Sequence, residues 1–225
     1  MGDNLSTPVS VEHIDGVLSN GETATYFLQS QIFARDTYWL DYFAFLMHGL
    51  WFGVPFAFGM VLMIYRRDQL AAYLAWTIVL FHLAALIFLL MPVRPPWMEP
   101  DIVRVLDARN FYGGQTSIDN NPYAAIPSLH AALPALTAMY LFLKGGKRLR
   151  FYAWLAAIYT AGVSFAIVYL GEHWVVDVLA GYAVAGVTAV IFTSSWPKRM
   201  AAAVPGDPVG RLERLNATLT RSGPG

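Results

Sequence analysis

The chain has 225 residues, 15 basic and 15 acidic side chains and no cysteine, and it is 56% hydrophobic but only 13% charged. A soluble domain carries about a quarter charged residues, and zero net charge excludes recruitment of nucleic acid by bulk electrostatics. The lack of cysteine excludes disulfides and thiolate chemistry. Charges gathered between long neutral stretches mark a polytopic membrane protein.

In chain order, residues 22–41 mix Tyr26, Phe27, Ile32, Phe33, Tyr38, Trp39 and Leu40 with charges and predict an interfacial amphipathic helix. Glu22, Arg35, Asp36 and Asp41 disfavour a membrane span there. Crossing the hydrocarbon takes about 20 mostly apolar residues. Five stretches qualify or nearly do: 42–65, 69–93, 128–143, 151–171 and 174–196. The third is short and holds Pro134, so it is expected to be kinked and shielded by its neighbours. The expected class is all-α, a polytopic membrane helical bundle of about five transmembrane helices plus an N-terminal interfacial helix. The expected division is an extracytoplasmic segment 1–41, a membrane domain 42–196 and a flexible cytoplasmic tail 197–225. Arg66-Arg67, the Lys144–Arg150 cluster and Lys198-Arg199 all fall on one side if the spans alternate, which places them in the cytoplasm.

With that alternation Arg94, His130 and His173 share the opposite, outer face. His173 and Asp177 are i and i+4, so on a helix the carboxylate can accept the Nδ1 proton and leave Nε2 free. The competing reading is a structural His–Asp contact between helices. His130 follows Ser128, the expected helix cap, and free N–H groups at helix starts suit a phosphate. Both histidine-bearing helix ends are therefore expected to gather that phosphate. Arg94 can fork two donors onto phosphate oxygens, although a boundary arginine also snorkels. His48 and His82 read as satisfied interhelical hydrogen-bonders, and the aromatics near span ends as interface belts.

These residues resemble the type 2 phosphatidic acid phosphatase superfamily, whose motifs take the forms KxxxxxxRP, PSGH and SRxxxxxHxxxD. Arg94-Pro95 matches the end of the first, Pro127-Ser128-Leu129-His130 the second, and His173 with Asp177 the third. Ile87 stands at the first-motif lysine, Ala166-Ile167 at the Ser-Arg of the third, and Leu129 at the motif glycine. The Pro-Ser-Leu-His-Ala form and the Ala180-Gly181 step after Asp177 look more like the inositol phosphorylceramide synthase branch, the inositolphosphotransferases.

The resemblance implies His173 as the nucleophile that becomes phosphohistidine, Asp177 as its orienter, and His130 as acid and then base. It implies that Arg94, Ser128 and backbone N–H groups hold the phosphate, with Arg104 or Arg109 standing in for the absent cations. It implies no cofactor and no metal. The implied partners are a membrane lipid phosphate or phosphodiester, a second lipid as acceptor and the bilayer, with no nucleic acid; oligomeric state stays open. Transfer to a lipid hydroxyl leads, with hydrolysis of the same substrates as the alternative. A lipid-binding or transport role comes third, because only His48 and His82 lie deep in spans. The expected location is a bacterial plasma membrane, with the site on the extracytoplasmic face and the C-terminus in the cytoplasm.

Overall fold

Long apolar stretches must satisfy their backbone internally in lipid, and helices do so. A computed structural model describes residues 8–19, 21–113 and 121–194. Four of its helices are long and apolar enough to cross a membrane: α3 (Tyr38–Tyr65), α4 (Arg67–Leu90), α7 (Arg150–Tyr169) and α8 (Val175–Thr193). Four shorter α-helices, α1 (Glu12–Leu18), α2 (Ala24–Gln31), α5 (Val105–Ala108) and α6 (Leu129–Lys144), and three 3₁₀ turns are the other helical elements of the described residues. The bundle is all-helical, with only two isolated parallel bridges between extended segments among the described residues. The chain is an integral membrane protein of the polytopic helical class.

The third expected span differs from the rest. At 16 residues α6 extends about 24 Å, short of a ~30 Å hydrocarbon core. It runs unbroken through Pro134 and is buried from Ala131 to Ala138, with α7, α3 and α4 packed around it. Inside the bundle its length no longer matters, because protein rather than lipid surrounds it. Tyr73 Oη lies 2.8 Å from Thr137 Oγ1, and Tyr140 Oη donates to the Gln69 carbonyl at 3.0 Å.

The expected helix over 22–41 is divided. Thr23 caps α2 by accepting the Tyr26 N–H at 3.3 Å, and α2 stops at Gln31. A single 3₁₀ turn follows, and Asp36 then turns left-handed (φ 52°) before α3 begins at Tyr38, earlier than expected. By contacts, residues 1–189 form one unit and 190–225 a second, of which the described part is the end of α8 and Ser194. The tail expected at 197–225 lies outside the described residues.

One end of the bundle is stitched by backbone hydrogen bonds. The Val9 N–H donates to the Pro92 carbonyl at 3.0 Å, Arg94 donates back to Val9 at 3.1 Å, and Val93 donates to Tyr123 at 2.8 Å. The long loop is pinned to the end of α7 by Trp97 on Gly171 (3.0 Å) and Val105 on Leu170 (3.2 Å). Buried Gln29 clasps both sides, donating to Val103 O at 2.7 Å and Tyr169 O at 3.0 Å while accepting the Val103 N–H at 2.9 Å. The ends of α4, α7 and the long loop thereby meet the starts of α6 and α8.

Candidate active site

His173 is placed by the way α7 stops. Gly171 is left-handed (φ 82°), with Glu172 donating to Ile167 O at 3.0 Å and Gly171 to Val168 O at 3.2 Å. That is the paired hydrogen-bond pattern of a Schellman terminus. A Cβ at Gly171 would lie 2.9 Å from the Val103 carbonyl, so conformation and space both require glycine. His173 follows in the turn before α8 rather than on a helix, which corrects the expected helical i,i+4 geometry. Asp177, in the first turn of α8, folds back and accepts the Trp174 N–H through Oδ2 at 2.9 Å. The same Oδ2 lies 3.4 Å from His173 Nδ1. This contact is electrostatic: its geometry falls short of a hydrogen bond, and Nδ1 has no hydrogen-bond partner among the described residues.

The second histidine is already against the first. Ser128 caps α6, its Oγ accepting the Ala131 N–H at 3.3 Å, and its own N–H donates to the Asp177 carbonyl at 3.0 Å. His130, in the first turn, places Nδ1 3.0 Å from His173 Nε2. Which of these two nitrogens donates depends on the tautomers of the two rings. His48 stacks on His130 with centroids 4.8 Å apart, and Trp51 tilts over it at 4.6 Å. His48 is thus a neighbour of the pair, which its place within an apolar span did not reveal. His82 differs from expectation too: its Nδ1 lies 2.7 Å from Ile78 O one turn back in the same helix, and the side chain is exposed.

Trp174, read from sequence as an interface aromatic, is fully buried with Val11, Val93 and Ile126. Its Nε1 donates to the Arg94 carbonyl at 2.9 Å and so bolts the third motif to the first. The Arg94 guanidinium pairs with Glu99 at 3.4 Å, while its Nε is buried without a partner among the described residues. Arg104 grips Glu172 through two hydrogen bonds of 2.8 and 3.1 Å and lies over the Trp97 ring. Arg109 bonds Asp41 at 2.7 Å and stacks on Phe33 and Tyr38. Buried Asp41 also accepts the Tyr169 hydroxyl, so Arg109 clamps the long loop to α3 and α7. Arg104 therefore lies beside the residue that precedes His173, whereas Arg109 belongs to a separate carboxylate cluster. Ala166 and Ile167, at the missing Ser-Arg positions, are buried apolar packing.

The helix ends divide their labour differently from expectation. The start of α8 is taken by carboxylates: Asp177 on the Trp174 N–H, and Asp15 of α1 on the Val176 N–H at 3.3 Å. Burial pushes the Asp15 carboxyl above the usual carboxylate range, backbone N–H groups of α8 and Ala24 oppose that, and Asp177 adds to it.

Residues 22–191 match the pattern of the PAP2 superfamily. The chain belongs to the PAP2 superfamily. A curated relative, the phosphoinositol dihydroceramide synthase of Bacteroides thetaiotaomicron, is 28% identical over 188 residues, covering 74% of this chain and 59% of the relative. The match thus spans less than two thirds of that relative's length. The crystal structure of LpxE from Aquifex aeolicus shares the fold, with a TM-score of 0.56 and 16% identity over 81% of this chain and 98% of that one.

Proposed function

We propose that this PAP2 enzyme transfers a phosphoryl or phosphoalcohol group from a membrane lipid to a lipid hydroxyl through a phosphohistidine on His173. The observation that carries this reading is the succession of contacts from Asp177 to His173 to His130, at 3.4 and 3.0 Å. Asp177 keeps the Nδ1 proton in place and the Nε2 lone pair outward. Nε2 attacks phosphorus, the bond from phosphorus to the leaving oxygen breaks, and His130 gives that oxygen its proton. His130 then takes the proton of the acceptor hydroxyl as that oxygen attacks phosphorus and the P–N bond breaks. Arg94 and the first N–H groups of α6 hold the non-bridging oxygens. Ser128 stands at that same helix start, and Arg104 is the nearer of the two loop arginines to His173 in the contact network.

A separation of 3.0 Å leaves no room for phosphorus between the two rings. Substrate therefore displaces His130 from Nε2, and the ring moves against its neighbours His48 and Trp51. The named activity of the Bacteroides relative supports transfer, while water as acceptor gives hydrolysis from the same intermediate. Arg66-Arg67 and the Lys144–Arg150 cluster lie at the opposite ends of these helices, which supports an extracytoplasmic site.

The test incubates purified protein with labelled membrane lipids and identifies products by mass spectrometry. A new phospholipid is the expected result; free phosphate or a released phosphoalcohol would establish hydrolysis instead. His173→Ala and His130→Ala are each expected to abolish turnover without preventing insertion. Normal turnover by both variants would overturn the assignment.

A further inference from the structure

We propose that Asp15 is a positioning residue of the active site, importing from α1 the cap that holds the first turn of α8. The start of α8 needs such help, because Trp174 in the cap position has no side-chain acceptor to offer. Asp177 folds back onto the Trp174 N–H, and Asp15, 161 positions earlier in the chain, accepts the Val176 N–H at 3.3 Å. These two bonds hold the turn between them, and His173 immediately precedes it.

The delivery of Asp15 is firmly built. Val11, just before α1, is buried against Trp174, Val93 and Ile126, and Val9 pairs with Pro92 and Arg94. Asp15 itself is completely buried. A buried carboxylate is a costly way to cap a helix, and its Oδ2 has no partner among the described residues. The Asp177 carboxylate stands close enough to disfavour its charge further. An asparagine would cap the same N–H without that cost. A side chain brought across 161 positions and buried against the turn beside the nucleophile serves to hold that turn. Its effect runs through α8: release of the turn lets Asp177 and His173 shift relative to His130, and small misplacements of reacting groups are expensive in rate.

The inference rests on His173 as nucleophile, and the test separates the two ideas. Hydrogen–deuterium exchange over residues 174–178 is compared in wild type, Asp15→Ala and Asp15→Asn, alongside kcat and KM on whichever lipid the wild type turns over. Faster exchange in Asp15→Ala, a kcat at least about tenfold lower and a KM within about threefold are expected. Asp15→Asn, which keeps an acceptor oxygen, should restore slow exchange and most of kcat. If Asp15→Ala does not fold, Asp15→Val, which keeps the buried bulk and removes the acceptor, takes its place. It is expected to show the same loss of kcat. Unchanged exchange and kcat in the folded Asp15→Ala or Asp15→Val variant would overturn the proposal. An equal loss in Asp15→Asn would also overturn it, by showing that charge rather than the cap matters. The exchange result stands even if the wild type turns over no lipid, in which case only the reaction assignment fails.

Discussion

Single side chains in this protein act mainly by joining segments distant in sequence. Trp174 shows the pattern: one indole N–H reaches the Arg94 carbonyl, 80 positions earlier, and brings two motifs together. Asp15 is the other case, and its titration offers a direct measurement. Burial and Asp177 raise its folded value above an unfolded value of about 3.9. The folded chain therefore holds the Asp15 proton more tightly than the unfolded chain does. The stability it contributes is complete below the unfolded value and lost as pH rises through the folded one. The thermal midpoint of wild type relative to Asp15→Asn should accordingly fall as pH is raised from acid to neutral. A difference that stays constant across that range would contradict the buried-acid reading.

At the scale of elements, the decisive contact is the crossing of α6 and α8. Gly181 lets the helices touch: a Cβ there would lie 2.5 Å from the Ser128 carbonyl and 3.3 Å from the Ala132 nitrogen. Small residues at such crossings are how membrane helices approach closely. Since Ser128 precedes His130 by two residues, a methyl group at 181 wedges apart the helices that bring the histidines together. Gly181→Ala should destabilise the protein by about 1–3 kcal/mol and lower kcat by at least about tenfold. Thermal unfolding in detergent and a turnover assay check both. Wild-type values would mean that α8 can shift without disturbing the pair. The Ala180-Gly181 step was visible in the sequence only as a feature of a resemblance, because which helix Gly181 faces is not encoded locally.

For the whole molecule, topology is the testable property. The site end and the basic end should lie on opposite sides of the bilayer. A chain without cysteine allows clean labelling, and Pro100 and Lys147 are both exposed. Pro100→Cys should react with an impermeant reagent added outside, and Lys147→Cys only after permeabilisation. Reaction of both from one side would overturn the alternation. Lys147 suits this better than its neighbour Gly146, whose positive φ (66°) resists any other residue.

Much of this was legible in the chain alone, and the physical reason is range. Span positions, the cap at Ser128 and the shared face of Arg94, His130 and His173 depend on local apolar length, nearby charges and alternation. Tertiary structure decided the remainder. His173 lies off the helix because Gly171 ends α7 against the long loop. Arg104 and Arg109 are held by Glu172 and Asp41, partners 68 positions away in each case. The short α6 became the core because α3, α4 and α7 enclose it. The start of α8 received Asp15 because three extended segments bring α1 to that end. Sequence period and length set which residues can be helical and which end they reach; only close packing selects the partner for each buried charge.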